Sequence, residues 1–180
     1  YSFTKGNILF ILMSDEKRGK ATEISDEAFR WWRNLVINNQ DKIIVVVTHA
    51  PLEGSGITFS THRDRQIKDS RRFTEVLRRY RVDMWISGHL HIPHSLANNI
   101  VRSSEYKGAL FINVSSIRTE LMGIKPSESR IVTFTCGSNK VVIRSRNHTN
   151  RRYERSLDAE FRLSKEYRCG VDGRPIIPLG

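Results

Sequence analysis

Cysteine is scarce in this sequence of 180 residues. Cys136 and Cys169 are the two present, and they do not form a Cys-x-x-Cys pair. Two cysteines exclude a disulfide-rich scaffold and a four-cysteine zinc site. We therefore expect one buried and one exposed thiol in a reducing compartment, and hence a cytoplasmic protein.

Long apolar runs are also lacking. Runs such as Ile43 to Val47 are far shorter than the roughly 20 residues that a membrane-spanning helix needs. The sequence shows no basic-then-apolar leader with a small-residue cleavage site, and it begins with Tyr1 rather than methionine. We expect no membrane association, and we expect these residues to come from a longer or processed protein.

Acidic residues are outnumbered, with 19 Asp and Glu against 30 Lys and Arg and a net charge of +11. This excess favours an anionic partner, which could be a phosphorylated substrate, a nucleic acid bound by a basic surface, or an acidic surface. No aromatic-interleaved RNA-recognition motif and no Cys/His finger spacing accompanies the arginines. An ordinary solvated surface with ion pairs is the competing interpretation.

Apolar patterning predicts an α/β fold. With 38% hydrophobic and 27% charged residues, the chain is typical of one globular domain, which we place at 1–169, followed by a Gly- and Pro-containing tail at 170–180. Unalternating apolar runs predict parallel strands, and two stretches with helical spacing predict helices capped by Ser25 and by Asp69 or Ser70. The predicted strands of this part are Asn7–Met13, Lys42–Thr48, Val82–Ser87 and Leu110–Val114.

The residues after Pro126 follow a different pattern. Alternating, β-branched runs at Ile131–Cys136 and Val141–Ser145 flank a Gly-Ser-Asn-Lys turn and predict a β-hairpin. A further strand is predicted within Tyr153–Leu163. We therefore expect a mixed sheet that is extended by antiparallel C-terminal strands.

Two histidine motifs follow predicted strands. One is Thr48-His49-Ala50-Pro51, and the other is Ser87-Gly88-His89-Leu90-His91. Open α/β sheets bind ligands just past the carboxyl ends of their strands, and imidazole is a common ligand of transition metals. Residues two apart on a strand point to one face, so His89 and His91 could reach one centre together with His49. The sequence thus favours a metal site, although a single strand-end histidine is more often structural.

These motifs resemble those of the calcineurin-like metallophosphoesterases. THAP is similar to the fourth motif of that family, and GHLH is similar to its fifth, Gly-His-x-His. The resemblance runs from about Tyr1 to Val114 and implies a two-sheet αββα sandwich, of which this chain is the C-terminal half. It also implies a dinuclear site of Mn, Fe or Zn that hydrolyses phosphoesters, with His49 and His89 on one ion and His91 on the other.

The first three motifs of that family, Asp-x-His, Gly-Asp-x-x-Asp and Gly-Asn-His-Asp/Glu, do not occur in this sequence. We therefore expect weak metal binding and little hydrolysis by this chain alone, and an association with itself or with the missing half. Catalytic and substrate-binding residues are not assigned; His62 and His94 flank the motifs and could touch substrate, but an ordinary role as loop histidines is favoured for both. A basic nucleic-acid-binding or nuclease-type module and an inactive interaction fragment are the alternatives.

Overall fold

The computed structural model describes residues 1–14, 22–62, 65–118 and 126–170. The predicted tail lies outside these residues from position 171 onward. The described chain forms two packed sheets, with helices on the outer face of the larger one. This arrangement confirms the predicted fold class, an α/β half-sandwich with antiparallel C-terminal strands.

The larger sheet has six strands in the order β1-β2-β3-β4-β6-β5. Its four central strands, β2, β3, β4 and β6, are parallel, while β1 and β5 pair antiparallel at the edges. The bounds are β1 Ser2–Lys5, β2 Ile8–Met13, β3 Ile43–Thr48, β4 Met84–Ser87, β5 Ile100–Ser103 and β6 Ala109–Asn113. The predicted central strands are confirmed, and the two short edge strands were not predicted.

Helices α1 (Asp26–Asn38) and α2 (Ser70–Arg79) cover one face of this sheet. Ser25 caps α1 as predicted, because its hydroxyl accepts the backbone N–H of Ala28 at 3.1 Å. Asp69 occupies the cap position of α2 but makes no side-chain capping bond. The helices contact the sheet through a fully buried aromatic cluster of Trp32, Phe73 and Trp85.

The smaller sheet packs on the opposite face. It has the order β10-β8-β7, with a short β9 beside β8. Its strands are β7 Glu128–Phe134, β8 Ser138–Asn147, β9 Arg152–Tyr153 and β10 Ala159–Tyr167. The predicted hairpin is confirmed as β7 and β8, whereas the strand predicted within Tyr153–Leu163 is divided into β9 and β10 by a 3-10 turn.

A disulfide joins Cys136 to Cys169, with the two Cα atoms 5.5 Å apart. The expectation of two free thiols is therefore wrong. The turn between β7 and β8 meets the end of β10 because β8 and β10 pair antiparallel, and the cysteines' separation of 33 residues gave no sign of this contact. A cytoplasmic location stays a prediction, but it has lost the thiol argument that supported it.

The end of β10 also closes the turn between β1 and β2. The backbone N–H of Asn7 donates to the carbonyl of Arg168 at 3.1 Å, and Asn7 Oδ1 accepts the backbone N–H of Arg168 at 2.7 Å. A third bond runs from Asn7 Nδ2 to the carbonyl of Glu166. These contacts tie the smaller sheet to one end of the larger one.

Neither described helix is long and apolar enough to cross a membrane.

Candidate metal centre

His49 follows the carboxyl end of β3, where a buried hydroxyl fixes the backbone. Thr48 Oγ1 accepts a hydrogen bond from Trp85 Nε1 at 2.9 Å and donates one to the carbonyl of Ala50 at 2.8 Å. The carbonyl of His49 accepts the N–H of Gly88 at 2.9 Å. The strand end is thus held on both sides of His49, while His49 itself is exposed.

His89 and His91 lie in the turn after β4, and both have left-handed backbones, with φ of 64° and 52°. Such a conformation is uncommon outside glycine. β4 ends at Ser87, so the expectation that the two histidines alternate as residues of a strand is wrong. The turn is instead closed by a bond of 2.7 Å from the N–H of Leu90 to the carbonyl of Gly88.

The side chains of His49 and His89 nevertheless meet. His89 Nδ1 lies 2.8 Å from His49 Nε2, and the ring centroids are 4.6 Å apart with 65° between the planes. Two nitrogens that bind one tetrahedral ion at about 2.1 Å would lie about 3.4 Å apart. At 2.8 Å the two nitrogens are at hydrogen-bond distance, so a separation by about half an ångström would let both rings bind one ion, and their donor set suits Zn, Mn or Fe.

His91 does not complete a larger cluster. Within the described ranges, no three His, Cys, Asp or Glu side chains are arranged to hold an ion. Two imidazoles are an incomplete shell, because structural and catalytic zinc sites have at least three protein ligands. The structure thus brings together two of the three histidines singled out in the sequence.

The region that carries both motifs can be compared with known proteins. The sequence model described as Calcineurin-like phosphoesterase matches residues 3–93, just over half of the chain. The chain belongs to the calcineurin-like phosphoesterase family. Members of this family are phosphoesterases that generally use divalent metal ions. No curated protein matches the chain.

The loop after His91 is anchored by His94, which is 1% exposed. Its backbone N–H donates to Glu128 Oε2 at 2.8 Å, and its Nε2 accepts the N–H of Ser115 at 3.0 Å. Burial, and secondarily the positive charge of Arg130, lower the pKa of His94 from 6.5 to about 3. His94 is therefore a neutral structural residue and cannot touch substrate.

Arg130 extends the same buried network across the two sheets. Its guanidinium donates to the carbonyl of Asn113 at 2.9 Å, to Ser145 Oγ at 3.2 Å and to Asn99 Oδ1. Burial lowers the pKa of Arg130 to about 10, while Glu128 opposes that shift. The sequence gave no signal for this network, because β7 lies about 35 residues beyond the loop that it supports.

A groove lies beside the two motif segments. It measures about 330 Å³ and is lined by Phe59, His62, Arg65, Leu90 and Ile92. Leu90 and Ile92 alternate with His89 and His91 along the chain, so the groove borders the histidine turn. His62 is exposed on its wall.

Proposed function

We propose that this chain contributes the histidine side of a dinuclear metal site that hydrolyses phosphoesters. His49 and His89 would hold one ion, and His91 would hold the other. The distance of 2.8 Å between His49 Nε2 and His89 Nδ1 carries the proposal. Family membership supports it independently, because it rests on a matched region that includes both motifs.

The residues of this chain have distinct parts in the proposed site. The bonds of Thr48 fix the backbone around His49, and the left-handed turn presents His89 to His49. When bound, the metal pair would supply a hydroxide nucleophile and neutralise the charge of the phosphate oxygens. The groove at Phe59 and Arg65 would receive the phosphorylated substrate, with the Arg65 guanidinium available for a phosphate.

Metal binding by the isolated chain is predicted to be weak, because the family's carboxylate motifs are absent from its sequence. Isothermal titration with Zn²⁺ or Mn²⁺ should give a dissociation constant well above micromolar, and His49→Ala should weaken it at least about tenfold by removing one of two paired ligands. His148→Ala is the matched control, because His148 is an exposed histidine that follows β8 on the smaller sheet and belongs to neither motif.

Micromolar-tight binding of two ions by the unaltered chain would contradict the claim that its metal site is incomplete. An equal loss of metal affinity in His49→Ala and His148→Ala would contradict the assignment of His49 as a metal ligand. Hydrolysis of a nitrophenyl phosphodiester, followed in the same preparations, should be slight. It should rise when a polypeptide carrying the three absent motifs is added.

We also propose that the described chain associates with itself or with that complementary half. An apolar strip at the β1–β2 edge supports this, since Tyr1 is 78%, Phe3 43% and Leu12 37% exposed. The strip adjoins Phe10, because the rings of Phe3 and Phe10 are stacked with their centroids 4.8 Å apart. Exposed apolar patches of this kind mark interaction surfaces.

A further inference from the structure

The smaller sheet has an outer face that the proposed hydrolysis does not use. Along β8, the side chains of Val141, Ile143 and Ser145 are buried against the larger sheet. The alternate residues Arg144 and Arg146 therefore point outward. Across the ladder, Arg146 pairs with Tyr153 on β9 and with Ser129 on β7.

The segment from β8 through β9 to the 3-10 turn after it carries a concentrated positive charge. Residues 144–155 contain five arginines and one glutamate. Two of the five have carboxylate partners, because Arg144 lies 3.8 Å from Asp158 and Arg152 lies 3.1 Å from Glu154. No carboxylate of the described ranges lies within ion-pair distance of the other three, which are Arg146, Arg151 and Arg155.

An aromatic ring stands among these charges. Tyr153 is 46% exposed, and the guanidinium carbon of Arg146 lies 5.0 Å from its ring centroid. A stacked arginine holds the ring in place while leaving part of it open to solvent. Exposed aromatic rings within a basic groove or sheet are a general platform for unpaired bases, because every base has a π-face.

We propose that the outer face of β8 and β9, together with the turn that follows each of these strands, binds single-stranded nucleic acid. Arg146, Arg151 and Arg155 contact phosphates, and one base stacks on Tyr153. Charge alone would suit any polyanion, but the exposed ring within it favours a ligand that carries unpaired bases over an anionic lipid surface. The sequence could not show this pairing, because Arg146 and Tyr153 meet only when β9 pairs with β8.

Fluorescence anisotropy of a labelled oligothymidylate of about 20 nucleotides tests the proposal. Three phosphate contacts on a single strand predict a log–log salt slope of about −2, and hence an affinity that falls about 20-fold between about 50 and 200 mM salt. Tyr153→Ala should weaken binding by about fivefold or more, whereas Tyr153→Phe, which keeps the ring, should bind normally.

The decisive comparison uses two triple variants of equal charge. Replacing Arg146, Arg151 and Arg155 by serine should reduce affinity at least about tenfold at low salt and flatten the salt dependence. The control replaces Arg30, Arg33 and Arg79 by serine, which are exposed on α1 and α2 at the other side of the larger sheet. The control should retain the binding and its salt slope.

Three results would overturn the proposal. The first is no saturable oligonucleotide binding at low salt. The second is an equal loss in the two triple variants, which would leave only a diffuse effect of net charge. The third is binding to vesicles of anionic lipid without binding to the oligonucleotide. If the face variant is poorly folded by circular dichroism, the comparison of Tyr153→Ala with Tyr153→Phe decides the outcome alone.

Discussion

Acid should destabilise this protein through His94, the buried histidine that anchors the loop after β4. Its Nε2 accepts the backbone N–H of Ser115, so the neutral ring carries its proton on Nδ1. A second proton, on Nε2, would place an N–H donor of the ring against the backbone N–H donor of Ser115. Glu128 Oε2 lies 3.9 Å from Nδ1, but this carboxylate already accepts the N–H of His94 and also faces Arg130.

The magnitude follows from the two pKa values. Folding lowers the pKa of His94 from 6.5 to about 3, so the unfolded chain binds the proton more readily. The contribution of the neutral ring is complete above pH 6.5 and is lost as the pH falls toward 3. Between about pH 8 and about pH 5 the free energy of unfolding should fall by about 2 kcal/mol from this residue.

Urea unfolding at a series of pH values measures this loss, with His94→Gln as the comparison. The amide oxygen of glutamine can accept the N–H of Ser115 but cannot titrate, so groups common to both proteins cancel in the difference. The variant should lose about 2 kcal/mol less than the natural chain over that interval. Equal losses, or an NMR titration of the His94 ring near pH 6.5, would refute the reasoning.

Two further predictions concern the disulfide and the apolar strip. Reduction of Cys136–Cys169, or its replacement by two serines, should lower the free energy of unfolding by about 4 kcal/mol, as expected for a loop of 33 residues. Urea melts with and without reductant measure this, and a loss below about 1 kcal/mol would contradict it. Sedimentation velocity should show concentration-dependent association of the chain. The double change Phe3→Ser and Leu12→Ser should shift the equilibrium toward monomer. A strictly monomeric natural chain would rule out self-association.

The central strands could be predicted from the sequence because each is a short β-branched or apolar run that is buried on both faces. The adjacency of His49 and His89 followed from the same rule. Thr48 pairs with Ser87 in the parallel register of β3 and β4, so residues just past both strands must be neighbours. The edge strands β1 and β5 were missed, because each has four residues and little periodicity.

The rest of the site depends on contacts that no local pattern records. The position of His91 was inferred from the period of a strand, but left-handed backbones at His89 and His91 replace that period. The burial of His94 depends on Glu128, which lies 34 residues later on another sheet. The disulfide likewise arises from the pairing of β8 with β10 rather than from the spacing of its cysteines.

The bonds between Asn7 and Arg168 have a consequence for the order of folding. They join residues 161 positions apart, and such distant contacts form late because a long loop must first be closed. During synthesis, the parallel strands and both helices are complete once Asn113 has emerged. The strands β7 to β10, which cover the inner face of the larger sheet, are synthesised only after that point. This inner face includes Ile43, Val45 and Ile112. A nascent chain that pauses in this interval presents a broad apolar sheet surface, and it is at that stage that chaperone binding or aggregation would compete with folding.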